Sequence, residues 1–264
     1  MVETVSVNGI RIAYAEDGPA NGPPLVMSHS LSASQAMWEP QLPALTDRYR
    51  VIRIDTRGHG SSDAPAGEYT LEGLADDVLA VADALNIETF HFCGLSMGGM
   101  IGQTLGLKAP ERLRSLVLCD TSSGYPEDAR SMWAERIAGA RANGLAAGVE
   151  GTIERWFSPK FVKADPATID KVRAMIAGTP VDGFCGCCAA ISKLALTDRL
   201  GQIKTPTLVI VGEDDPGTPV AMSETIRDGI PGAKLVVLPA ARHLANMEDV
   251  SGFNAALRRF LDSH

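Results

Sequence analysis

A chain of 264 residues with 45% hydrophobic and 21% charged side chains can bury a large core, which excludes wholesale disorder. Twenty-four Lys and Arg against 32 Asp and Glu leave a net charge of −8 without a basic tract, so neither nucleic acid nor an anionic membrane is an expected partner. No apolar run is long enough to span a bilayer, the first residues lack the basic-then-apolar pattern of a secretion signal, and five cysteines, three of them crowded at 185–188, make no disulfide framework. Reduced thiols and a cytoplasmic location are expected.

Residues 3–7 and 11–15 read as two short strands joined by an Asn8-Gly9 turn. An apolar strand at 24–28 leads through a loop of small residues to a short helix near 35–44, and a further strand at 50–54 runs into the polar, Gly-rich DTRGHGSSDAP. Residues 71–85 carry apolar side chains at helical spacing, with Thr70 placed to cap the helix. The text then reads strand 89–94, helix 97–108 and strand 114–119, the strands being short apolar runs of the kind buried in parallel sheets. From 121 to 200 no β-branched strand candidate appears and the text is helical or irregular. Alternation then resumes with strand 206–212, helix 219–229, strand 234–238 and a single final helix at 248–262. The expected architecture is α/β: a mostly parallel central sheet flanked by helices, formed by 1–120 and 201–264, with a helical cap or lid at 121–200 inserted after the sixth strand.

The most informative segment is Gly94-Leu95-Ser96-Met97-Gly98, a G-x-S-x-G motif lying between a strand and a helix. A serine there occupies a tight turn that lifts its hydroxyl off the sheet. Side chains two residues before and after it would clash, and the helix beginning at Met97 aims free N–H groups at a developing oxyanion. Serine is a weak nucleophile and needs a base, which needs an orienting acid. Of five histidines, His243 lies in a polar loop after the last strand, beyond the carboxyl ends of the strands, and is the candidate base. The candidate acids follow strand 206–212: Glu213, Asp214 and Asp215. Asp215 is favoured because it sits far enough into the loop to turn back and is stiffened by Pro216, with Asp214 its chief rival. The oxyanion hole needs two main-chain donors, for which the N–H groups of Met97 and of Leu31, in the loop after strand 24–28, are the candidates. Ser30 could add a hydroxyl near the pocket.

Asp55-Thr56-Arg57-Gly58-His59-Gly60 resembles an acid–base cluster but reads better as a structural turn with Arg57 pairing a carboxylate. Cys185 and Cys188 have the spacing of a zinc pair, yet no second pair follows and the run continues as a helix, so buried thiols are expected, with no metal and no organic cofactor.

These motifs resemble the α/β-hydrolase superfamily and, within it, the 3-oxoadipate enol-lactonases. The likeness runs through SHSLSASQAMWEPQ near 28–41, RIDTRGHGSSDAPAGEYTLEGLADDV at 53–78, HFCGLSMGGMIGQ at 91–103 and PTLVIVGEDDPGTP at 206–219 to ARHLANMED at 241–249. Lid text such as MWAERIAGARANG and ERWFSPKF carries the narrower likeness. The resemblance implies that the acid is the Asp directly before Pro, Asp215, that the base is His243, and that a small lactone is opened by water through an acyl-enzyme. One departure is His29-Ser30-Leu31-Ser32, where the family usually has Asn-Ser-Leu-Gly. Because 3-oxoadipate enol-lactone bears a carboxylate, a lid cation is implied: Arg130, Arg136, Arg141 or Arg155, with Trp133 as an aromatic wall. A general esterase or lactonase, or a ligand-binding protein that keeps the triad, are the alternative expectations.

Overall fold

The computed structural model describes residues 1–125 and 129–264. Eight strands form one sheet in the order β1-β2-β4-β3-β5-β6-β7-β8. The first two, β1 (Val2–Val7) and β2 (Ile10–Asp17), pair antiparallel around Asn8 and Gly9, both at positive φ as a tight hairpin turn demands. β2 is also antiparallel to β4. Every later pairing is parallel, through β3 (Pro24–Ser28), β4 (Arg50–Ile54), β5 (Phe90–Leu95), β6 (Leu113–Cys119), β7 (Thr207–Gly212) and β8 (Lys234–Leu238). β5 and β7 are buried at every residue because both faces are covered, which is why their sequences run apolar without alternation.

Helices occupy the crossovers. A 3₁₀ turn (Gln35–Gln41) runs into α1 (Leu42–Leu45), where one short helix was expected; Pro40 lies within the turn and Pro43 within α1. α2 (Leu71–Ala84) begins where Thr70 Oγ1 accepts the Gly73 N–H at 3.0 Å, and α3 (Met97–Lys108) follows β5 directly. Between β6 and β7 lie α4 (Ala129–Asn143), α5 (Val149–Trp156), α6 (Pro159–Ala164), α7 (Pro166–Gly178) and α8 (Val181–Ser192), the helical insertion after the sixth strand. Its two ends are tied together by a Gly124–Ala195 bridge and by the Leu196 N–H donating to Ser123 O at 2.7 Å. α9 (Val220–Gly229) links β7 to β8.

The last helix differs from expectation. It is two, α10 (Ala245–Glu248) and α11 (Val250–Leu261), broken at Asp249, whose carboxylate accepts the Gly252 N–H at 3.0 Å and so caps the second. Two apolar clusters cover the sheet. One carries Val78, Met100 and Ile101 with lid residues Phe184 and Cys187. The other carries Trp38, Phe253 and Leu257 with lid residues Ile153 and Ile169. Cys185, Cys187 and Cys188 are all buried on α8 as free thiols. Among the described residues no single helix is long and apolar enough to cross a membrane.

Candidate active site

Ser96 is the residue between β5 and α3, at φ +56° and ψ −113°. A non-glycine residue in this region is strained by about 1–3 kcal/mol and persists only where its surroundings over-determine it. Three bonds do so here. The Ser96 N–H donates to Cys119 O at 2.8 Å, and its carbonyl accepts from Thr121 Oγ1 at 2.7 Å and from the Met100 N–H at 3.1 Å. The flanking glycines are required by contact: a Cβ on Gly94 would stand 2.1 Å from Gly98 O, and one on Gly98 would stand 2.3 Å from Ser28 O.

Of the three candidate acids, Glu213 and Asp214 are exposed and Asp215 is buried. The Asp215 carboxylate accepts four bonds. Oδ1 takes the N–H groups of Gly217 (2.8 Å) and Thr218 (3.1 Å); Oδ2 takes the Thr218 hydroxyl (2.6 Å) and His243 Nδ1 (2.8 Å). Burial pushes this carboxyl up, but the His243 and Thr218 interactions outweigh it and hold the pKa at about 2. With its Nδ1–H donated in a hydrogen bond to the Asp215 carboxylate, His243 keeps a lone pair on Nε2. Its loop is anchored to the insertion: the Leu244 N–H donates to Trp156 O (3.2 Å), and Glu248 accepts the N–H groups of Ser158 (3.0 Å) and Arg242 (2.9 Å).

Ser96 and His243 border one cavity of about 450 Å³, roofed by Trp133 and Trp156 and reaching Ser30, Leu31 and Thr218. No hydrogen bond joins the Ser96 hydroxyl to His243 among the described residues, and such bonds commonly tighten only when substrate is bound. The main-chain N–H groups of Leu31 and Met97 find no protein acceptor among the described residues, whereas those of Ser30 and Ser32 are both taken. An N–H at the first position of a helix has no partner within the helix, so Met97 is unpaired for a structural reason.

The arginines expected from the lid separate clearly. Arg136 and Arg155, on α4 and α5, both border this cavity and also an adjoining one of about 380 Å³ that contains Ser32. Neither makes an ion pair among the described residues. The Arg136 guanidinium lies 4.6 Å from the Trp133 ring centroid, and partial burial together with the Arg136 charge lowers the Arg155 pKa. Arg141 is exposed and lines neither cavity, so it is not placed to serve the site. The side chain of Arg130 lies outside the described residues.

Two residues of the site carried no singled-out signal. Thr218 belongs to an Asp-Pro-Gly-Thr turn whose carboxylate-to-backbone bonding is a known habit of Asp. Trp156, whose ring centroid is 6.3 Å from that of His243, comes from the insertion and has no local mark.

A family model described as the alpha/beta hydrolase fold matches residues 23–165 and 167–250. The chain belongs to the α/β-hydrolase family. It is 35% identical over 262 residues to 3-oxoadipate enol-lactonase 2 of Acinetobacter baylyi, a match covering 98% of this chain and 97% of that one. Two solved structures are similar throughout. A hydrolase from Pseudomonas aeruginosa PA01 has 40% identity and a TM-score of 0.95, with 98% of each chain covered. The enol-lactonase from Burkholderia xenovorans LB400 has 36% identity and a TM-score of 0.94, with 98% of this chain and 100% of that one covered. The hydrolase is thus a carboxylic-ester hydrolase of the serine type, close to the enol-lactonases, acting on small esters or lactones.

Proposed function

We propose that this hydrolase opens a small enol-lactone bearing a carboxylate, of which 3-oxoadipate enol-lactone is the leading substrate, through an acyl-enzyme on Ser96. The observation that carries the reading is a strained Ser96 sharing one cavity with His243, whose Nδ1 is 2.8 Å from the buried Asp215 carboxylate. Two guanidiniums on the same cavity, without ion-pair partners among the described residues, favour an anionic substrate over a neutral ester.

In this scheme His243 Nε2 takes the hydroxyl proton as Ser96 Oγ attacks the lactone carbonyl, and Asp215 stabilises the resulting imidazolium. The N–H groups of Leu31 and Met97 receive the oxyanion. The ring C–O bond breaks, His243 returns its proton to the departing enol oxygen, and the enol becomes a ketone. Water then loses a proton to His243 as it attacks the acyl carbon, and as the bond to Ser96 Oγ breaks His243 returns that proton to Oγ, freeing the acid and restoring Ser96. Arg136 and Arg155 hold the distant carboxylate during both steps. No step draws on a metal or an organic cofactor.

The test is kcat/KM across the enol-lactone, its carboxyl-methylated form, unsubstituted lactones and p-nitrophenyl acetate. The carboxylated lactone should rank first, and masking its charge should lower kcat/KM by about tenfold or more, the cost of losing one charge-assisted contact of about 1.5–3 kcal/mol. Ser96→Ala should cut turnover by at least about 10⁴-fold with an unchanged circular-dichroism spectrum. Preference for the neutral esters would remove the substrate assignment; turnover retained by Ser96→Ala would remove the mechanism.

A further inference from the structure

The segment DTRGHG, read from sequence as a structural turn, reaches the loop that presents the Leu31 N–H. Residues 30–33 form a β-turn in which the Ala33 N–H donates to Ser30 O at 3.0 Å. Ser32, third in the turn, has φ +65°, the position where a type II turn ordinarily takes glycine. A type II turn differs from type I by a flip of its central peptide, here Leu31–Ser32, and a serine held at positive φ needs an external restraint. That restraint is visible. The Ser32 N–H, which belongs to the central peptide, donates to His59 Nε2 at 3.0 Å.

His59 can accept only as a neutral imidazole carrying its proton on Nδ1, and Nδ1 lies 3.4 Å from Arg57 O. Beside it, with ring centroids 5.1 Å apart, His29 does the same on the other flank. Its Nε2 accepts the Thr56 N–H at 2.9 Å, and its Nδ1 donates to Ser30 O at 2.8 Å. Both rings are fully buried. The backbone around His59 is itself braced: the Asp55 carboxylate accepts the N–H groups of Gln35 (2.7 Å) and Ser61 (2.9 Å), and a Cβ on Gly60 would stand 2.2 Å from that carboxylate.

We propose that His59 is a positioning residue for the oxyanion hole: its Nε2 lone pair selects the orientation of the central Leu31–Ser32 peptide and so holds the turn in the form that presents Leu31, while His29, bonded to Ser30 O, holds the preceding Ser30–Leu31 peptide, whose N–H is the Leu31 donor. This extends the Leu31 assignment made above and rests on it. Burial, then the neighbouring His29, against an opposing effect of the Arg57 carbonyl, lowers the His59 pKa to about 3, so the ring is neutral near pH 7.

The experiment compares wild type, His59→Leu, His59→Gln and Ser96→Ala on p-nitrophenyl acetate, with active serines counted by a fluorophosphonate. Per active serine, His59→Leu should lose roughly 10- to 100-fold in kcat with KM changed less than about threefold, somewhat below the loss for deleting an oxyanion donor outright. His59→Gln, whose amide oxygen can stand in for Nε2, should recover most of that loss. An unchanged kcat in His59→Leu, or a loss that Gln does not relieve, overturns the proposal while an inactive Ser96→Ala leaves the serine mechanism standing. Should His59→Leu fail to fold, imidazole ¹⁵N shifts of wild type decide. The His59 ring should remain a neutral Nδ1–H tautomer from pH 5 to 8. A titration near the ordinary histidine value of about 6.5 overturns it.

Discussion

At the scale of single residues, the Asp215 carboxylate is committed four times, twice to the main chain of its own turn and once each to Thr218 and His243. Every one of these partners donates, so the site is built for an ionised acid. An amide in its place would turn an N–H₂ toward at least one donor and favour the wrong histidine tautomer. Asp215→Asn is therefore expected to lower kcat by about 10³- to 10⁴-fold with little change in KM, read by steady-state kinetics at saturating ester. A loss smaller than tenfold would show that His243 is oriented by something else. Glu213, Asp214 and Asp215 are all carboxylates; position before Pro216 favoured Asp215, and burial together with the bond to His243 sets it apart from the other two. Neither that burial nor that bond is written in five consecutive residues.

At the scale of elements, the strand–turn–helix from β5 to α3 depends on close main-chain approach. Gly94 lies against the Gly98 carbonyl, and Gly98 lies against the Ser28 carbonyl at the end of β3, so the nucleophile turn is wedged between two neighbouring strands. A methyl group 2.1 Å from an oxygen cannot be relieved by a rotamer change. Gly94→Ala should cost upwards of about 3 kcal/mol, seen as a fall in the urea midpoint and in soluble yield. Near-native stability in this variant would mean that the turn has slack which the contacts do not show. The insertion contributes differently. α5 holds the His243 loop through Trp156 O, while α4 and α5 carry Arg136 and Arg155 to the cavity. Its sequence showed that it was helical, since strand-forming runs are missing, but not which helical faces turn toward Ser96.

At the scale of the molecule, three histidines are buried as neutral rings. Burial lowers the pKa of His29, takes His59 to about 3 and takes His91 to about 4, the last with Nδ1 2.8 Å from Ser115 Oγ. Unfolded histidines bind protons near pH 6.5. Below that pH the unfolded chain holds more protons than the folded one, so stability is present above about 6.5 and is lost as pH falls toward the folded values. Each such histidine removes about 1.4 kcal/mol per pH unit in that window. Asp215 acts in the same direction lower down, its contribution fading as pH falls from about 4 toward 2. Urea denaturation from pH 7 to 4.5 should show a steep decline, and His91→Asn should reduce its slope by about one proton. A stability flat to pH 4.5 would contradict neutral burial of these rings.

By itself the sequence determined the alternation of strands and helices, the place of the insertion and the identity of the nucleophile turn, because these rest on contacts within a dozen residues: apolar periodicity, capping by Thr70, and glycines at fixed offsets from Ser96. Only the tertiary structure placed the Asp215 carboxylate, already favoured by its position before Pro216, against His243 Nδ1, and showed that Arg136 and Arg155 but not Arg141 border the cavity and that His59 grips the turn carrying Leu31. Those pairings join residues 27 or 28 positions apart in the chain, as from Ser32 to His59 and from Asp215 to His243, or reach from the insertion to the sheet. They depend on where separate elements come to rest, and a local pattern of residue types does not encode that distance.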